Sequence, residues 1–252
     1  MTTRNPHHLY ILTGASRGMG HAMAEQLLQP GHTLITIARG PLPLACPQGA
    51  HFEHWQLDLS QPQPAALHLE HWLRSQTPQD FASVQLINNA GVIPSIAPLS
   101  DIEAAAIAHA LRVGLEAPML LTSSLLRATA DWALPKKVLN ISSGLGRRAM
   151  ASQATYCAAK AGLDNFSAAL ALEEARKPHG ARVCSLAPGV IATDMQVQMR
   201  NARAQDFPDQ ERFHQLHAQG LLTTPEDAAA QVLAWLQRPD FGAQVLADVR
   251  HA

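Results

Sequence analysis

The sequence predicts a doubly wound α/β fold, a parallel sheet of about seven strands with helices on both faces. Four observations carry this expectation. Apolar runs of five to seven residues recur along the chain, amphipathic helical stretches fill the intervals, and the connections are short. A glycine-rich turn, residues 14–20, follows the first run directly.

Residues 8–13 (HLYILT) form the first expected strand, and the helix after the turn stops near residue 28, before Pro30-Gly31. A second strand spans 33–38, and the Pro/Gly-rich 40–49 stretch is a loop. The third strand, 52–57, closes at Asp58, and a helix follows to about Ser75. Strand four, 84–88, runs into N-N-A-G. A long helix is expected over 101–130, strand five over 137–141, a second long helix over 152–176 and strand six over 181–186. T-P-E-D opens the last helix at Pro225, and 243–249 is the last strand. Right-handed crossovers make such a sheet Rossmann-like. Residues 1–252 read as one domain whose irregular stretch, 193–222, follows strand six. Ligands in such sheets sit beyond the carboxyl ends of the strands, so this stretch is an expected substrate lid.

Composition narrows the function. The chain is 47% hydrophobic and 15% charged, which argues against disorder, and its net charge of −1 gives no electrostatic case for nucleic acid or an anionic membrane. No apolar run approaches the roughly 20 residues of a spanning helix. The opening MTTRNPHH lacks the apolar stretch of a signal peptide. Cys46, Cys157 and Cys184 form no C-x-x-C pair, which suits a reducing cytoplasm. His68/His71 and His214/His217 have helical spacing but no completing ligands, so no metal is expected.

Gly14, Gly18 and Gly20 permit a sharp turn and let backbone amides approach a pyrophosphate at a helix N-terminus. Where NAD-binding sheets place a carboxylate after strand two, this chain has Ala38-Arg39. Arg39 and Arg17 flanking a 2′-phosphate favour NADP(H); the alternative is two solvated arginines. Ser143, Tyr156 and Lys160 supply a hydroxyl, a phenol and an ammonium, the last two at i, i+4 on one helix face. The ammonium is expected to draw the phenol down from its ordinary pKa near 10, and the pair could then protonate a carbonyl oxygen.

T-G-A-S-R-G-M-G at 13–20, Asp58, N-N-A-G at 88–91, I-S-S at 141–143, Y-C-A-A-K at 156–160 and P-G-V-I-A-T at 188–193 together resemble the short-chain dehydrogenase/reductase family over essentially the whole chain. The resemblance implies an NADP(H)-dependent oxidoreductase with Ser143, Tyr156 and Lys160 catalytic. Gly14, Ser16, Arg17, Gly18, Met19 and Gly20 would contact the cofactor, with Asp58 and Leu59 at its adenine. Asn89, Ala90 and Gly91 would line the ribose side, with Tyr156 and Lys160 beyond. Val190, Ile191 and Thr193 would fix the nicotinamide amide, with Pro188 and Gly189 also against the cofactor. One departure is Gly114, in V-G-L-E-A-P, where the family carries an asparagine that anchors a relay water.

The stretch A-P-G-V-I-A-T-D-M-Q at 187–196, Arg200, and the end F-G-A-Q-V-L-A-D-V are similar to the sepiapterin and benzil reductase branch. That implies reduction of a vicinal diketone or pterin side-chain ketone. The alternatives are another short-chain alcohol dehydrogenase or ketoacyl-type reductase, or a non-catalytic NADP(H) sensor. Leu145, Met150, Met195 and Met199 would surround the substrate, methionine packing adaptably against apolar rings; equally they could pack the lid on the body. Asp248 is the nearest match to the branch's pterin-anchoring acid, or a cap on the last strand. Arg147 and Arg148 either face an anionic substrate or are solvated. Two helices apolar on more than one face, 101–130 and 152–177, predict a homodimer.

Overall fold

The computed structural model describes residues 6–251, whose seven strands lie in the order β3-β2-β1-β4-β5-β6-β7. All six pairings are parallel. The strands are β1 (His7–Thr13), β2 (His32–Ala38), β3 (His51–Gln56), β4 (Phe81–Asn88), β5 (Lys136–Ile141), β6 (Arg182–Ala187) and β7 (Leu246–Asp248). Strand alternation divides the core. Tyr10 and Leu12 face a layer containing Met23 of α1 (Gly18–Leu27) and Trp235 of α8 (Pro225–Gln237). Leu9 and Ile11 face the opposite layer, with Leu69 of α2 (Pro62–Arg74), Leu121 of α4 (Ala117–Ala128) and Leu170 of α5 (Ala154–Glu174). With both faces covered, the strand centres read as continuous apolar runs rather than alternating ones.

The helix expected over 101–130 is broken. It comprises α3 (Ala104–Leu111), a π turn (Arg112–Glu116) and α4. Pro118 supplies the reason: it has no N–H for the carbonyl of Gly114, and its ring crowds that carbonyl. The 25 residues Ala104–Ala128 are nevertheless long and apolar enough to cross a membrane, which the reading of the sequence did not anticipate. In the fold this stretch packs against α2 and α5. Strand β7 is three residues long, because it meets β6 only from Ser185 onward.

The 193–222 stretch contains α6 (Asp194–Arg200) and α7 (Gln210–Ala218). Its two ends are fastened by a parallel bridge, Ile191 to Thr223, with Thr223 N donating to the Val190 carbonyl at 2.9 Å. Thr224 then caps α8, its hydroxyl accepting from Asp227 N at 3.1 Å. Strand order reverses between β1 and β4, which opens a crevice at their carboxyl ends.

Candidate active site

That crevice is a cavity of about 910 Å³. Every residue assigned from the sequence to the catalytic set, the cofactor or the apolar substrate wall lines it, from Gly14 to Met199, including Ser143, Tyr156 and Lys160, whereas Arg147 and Asp248, both candidate substrate anchors, do not. At its floor the glycine turn leads into α1. The Arg17 side chain does not cap that helix, and its first turn holds no acidic residue. The first amides and the positive end of the helix are therefore available to an anion. Gly14 and Gly18 have φ of 71° and 54°. Gly20 is required for a different reason: a Cβ there would lie 2.1 Å from the Gly14 carbonyl oxygen. Asn89 holds the turn in place, donating to the carbonyls of Thr13 (2.9 Å) and Gly14 (3.2 Å). The Thr13 hydroxyl accepts from the amides of Asn89 and Ala90.

At one rim Arg17 pairs with Asp194 at 2.8 Å, both side chains about two-thirds exposed. Asp58 accepts from Ser60 N at 2.9 Å. That bond chiefly holds its carboxyl below the usual range, and the Arg39 charge adds to it.

Ser143 follows β5 and its hydroxyl accepts from Leu145 N at 3.1 Å. Tyr156 and Lys160 project from the first turns of α5 and are buried. Lys160 Nζ donates to the Ile141 carbonyl at 2.7 Å and lies 5.8 Å from the centre of the Tyr156 ring. Burial pushes the phenol up to about 12, outweighing the pull of the neighbouring Ser143 hydroxyl. Burial likewise pushes the Lys160 ammonium down to about 8, against the attraction of Asp164. The upward shift of Tyr156 reverses the direction expected from an ammonium at i, i+4, which would lower the phenol. In the folded protein burial decides the shift, opposed only by the Ser143 hydroxyl, and Tyr156 is held as an acid at neutral pH.

Asp164, one turn beyond Lys160, was not picked out from the sequence, although i, i+4 spacing marks it. It is buried, accepts from Ser185 Oγ at 2.6 Å and pairs with Arg147 at 3.1 Å. Arg147 also donates to the carbonyls of Ala247 (3.0 Å) and Ser185 (3.2 Å). It is thus neither a substrate ligand nor a free solvated arginine but a tie joining α5, β6 and β7. Because the Asp164 carboxylate raises the Lys160 pKa, Asp164→Asn should let burial lower it further. The ammonium is then lost at lower pH, so the alkaline limb of reductive kcat/KM should move acidward from about 8. A pH–rate profile checks this; a limb that stays in place would show that Asp164 does not act through Lys160.

Beside Tyr156, Leu145, Met150, Met199 and Phe213 form an apolar cluster, and Met195 packs on them partly buried. Phe207, within the 193–222 stretch, is fully buried in the same cluster. Residues that the sequence reading assigned no role here also line the wall, among them Gln196, Arg212, Phe213 and Arg250. Asp248 ends β7 and is occupied by Arg250, which donates to it at 2.6 and 2.9 Å and holds its carboxyl below the usual range. Gly114 is buried in the π turn, where a Cβ would meet Ala159 of α5 at 3.3 Å. An asparagine there would press on the helix that carries Tyr156 and Lys160.

Comparison with known proteins agrees with this geometry. The family model for short chain dehydrogenases matches residues 8–204. A benzil reductase ((S)-benzoin forming) of Bacillus cereus is 33% identical, the match covering 92% of this chain and 94% of the relative. Sepiapterin reductase of Rattus norvegicus is 32% identical, covering 92% of each. Among solved structures, the KRED1-Pglu enzyme superposes with a TM-score of 0.76 at 25% identity, over 94% of this chain and 99% of that one. A short-chain dehydrogenase/reductase from Burkholderia vietnamiensis gives 0.64 at 31% identity, over 98% and 100%. With its glycine turn, parallel sheet and Ser143, Tyr156 and Lys160 gathered on one cavity, the chain belongs to the short-chain dehydrogenase/reductase family.

Proposed function

We propose that this oxidoreductase reduces one carbonyl of a vicinal dicarbonyl compound to an alcohol with NADPH, giving a hydroxy ketone where the substrate is a diketone. The observation that carries the reading is the convergence of Ser143, Tyr156 and Lys160 on a cavity whose far end is an uncapped helix N-terminus behind a glycine turn. A nicotinamide dinucleotide fits these residues: the turn accepts a pyrophosphate, and the Ser142 hydroxyl on the wall is buried without a partner. When bound, the cofactor supplies a hydride to the carbonyl carbon. Ser143 donates a hydrogen bond to the substrate oxygen as charge develops on it. Tyr156, held as a phenol, delivers its proton to that oxygen, and the Lys160 charge stabilises the phenolate left behind. The apolar wall of Leu145, Met150 and Met199 suits an aromatic or aliphatic body, and the likeness to benzil and sepiapterin reductases supports the same reading.

Preference for NADPH rests on Arg39 and Arg17, with no carboxylate at the end of β2. Arg17 must leave Asp194 to reach a 2′-phosphate, so Arg39 carries more of the discrimination. Arg39→Ala should lower the NADPH-over-NADH ratio of kcat/KM about tenfold or more, chiefly through the KM for NADPH. An unchanged ratio would remove Arg39 from the site. Chromatographic identification of a hydroxy ketone from benzil and NADPH tests the reaction itself.

A homodimer is the proposed assembly. Met119 of α4 is exposed beside a groove lined by Leu111, Leu115 and Leu120, and Leu172 is exposed on α5. Light scattering should give twice the 27.2 kDa chain mass. Three free thiols, and no disulfide among the described residues, suit a cytoplasmic setting.

A further inference from the structure

We propose that Arg200 anchors an anionic group of the substrate, so that the ketone reduced here carries a carboxylate beside an apolar body. This rests on the reductase reading above. It narrows that reading, since a 2-oxo acid is a vicinal dicarbonyl whose second carbonyl belongs to the carboxylate.

Arg200 closes α6 and lines the same cavity as Ser143 and Tyr156. Its backbone is fixed by α7, Gln210 Nε2 donating to its carbonyl at 2.7 Å. Its Nη1 is buried and has no hydrogen-bond partner. A guanidinium nitrogen withdrawn from water without an acceptor is costly, and retaining it suggests that a ligand satisfies it.

The neighbouring arginines show what Arg200 lacks. Arg17, Arg147 and Arg250 are each paired with an aspartate, Asp194, Asp164 and Asp248 respectively. Arg200 and Arg212, both on the lid side of the cavity, form no ion pair among the described residues. Asp58 and Asp194 are the carboxylates lining the cavity, and Asp194 is already held by Arg17. Two arginines without an ion pair thus line the cavity next to Met199 and Phe213, which are buried and apolar. Arg39 and Arg148 line it unpaired as well, but among the described residues only Arg200 has a buried guanidinium nitrogen with no partner. A guanidinium matches a carboxylate in a two-point contact. In the proposed reaction the carbonyl carbon gains a hydride from NADPH and the oxygen gains the Tyr156 proton. The products are a 2-hydroxy acid and NADP⁺, and the carboxylate is unchanged.

An anion at Arg200 could come from the substrate or from the cofactor's pyrophosphate, and the test separates them. Kinetics with 2-oxo-2-phenylacetate and its methyl ester, at saturating NADPH, are compared in the wild type, Arg200→Gln and Arg200→Lys. The wild type should favour the acid. Arg200→Gln should lower the acid-over-ester ratio of kcat/KM by about tenfold or more, mainly through KM, and Arg200→Lys should restore part of it. An unmoved ratio overturns the proposal. If NADPH affinity falls instead, the anion is the cofactor's, which also overturns it. Calorimetric titration with 2-oxo-2-phenylacetate in the presence of NADP⁺ reads the subsite without turnover. Binding that depends on Arg200 with neither compound reduced would uphold the subsite and sink the reductase reading. If Arg200→Gln fails to fold, inhibition of benzil reduction in the wild type decides: benzoate binding more tightly than benzamide supports the subsite, and equal inhibition contradicts it.

Discussion

Tyr156→Phe should lower kcat by about 10²–10⁴-fold while leaving the affinity for NADPH near that of the wild type. The phenol is buried in the wall, so phenylalanine keeps the packing and removes only the transferable proton. Because burial pushes the phenol up to about 12, Tyr156 is protonated throughout the neutral range. Reduction therefore has its acid ready, whereas the reverse oxidation needs the phenolate and should speed up as pH rises. Single-turnover kinetics with NADPH, and fluorescence titration of NADPH into the variant, separate the chemical loss from any binding loss. Turnover within a fewfold of the wild type would refute the role given to Tyr156.

Gly20→Ala should cost about 3 kcal/mol or more of stability and abolish NADPH binding. The added methyl would sit 2.1 Å from the Gly14 carbonyl oxygen and 2.6 Å from Asn89 Nδ2, so it must push the turn away from β4. Its backbone is not left-handed, so the loss is steric. Gly31→Ala is the contrasting control. There φ is 82° and nothing lies within 4 Å, so only backbone strain of about 1 kcal/mol is expected, with cofactor binding retained. Thermal melts and NADPH titration of both variants check the contrast. Equal losses in the two would mean that the turn tolerates a side chain.

The parallel sheet and the residues that line the cavity were legible because each depends on local pattern. Apolar runs mark strands covered on both faces, and motifs at strand ends must converge once the sheet is parallel. What escaped depends on separations that no periodicity records. Arg17 and Asp194 are 177 residues apart, and Arg147 reaches Ala247 across 100. The break in the long helix could have been read from Pro118, four residues after Gly114, but apolar continuity masked it. The acid–base balance of Tyr156 and Lys160 was misjudged for a similar reason. Sequence shows a phenol and an ammonium four residues apart, whereas the burial that shifts both groups is visible only in the fold.

The most direct measurement is the loss of NADPH absorbance with benzil, 1-phenyl-1,2-propanedione, sepiapterin and a simple ketoester, with NADH run in parallel. Turnover of a vicinal dicarbonyl, faster with NADPH than with NADH and lost in Tyr156→Phe, is the predicted result. Tight NADPH binding with no oxidation on any of these ketones would contradict the account of Ser143, Tyr156 and Lys160 as a working carbonyl-reducing site.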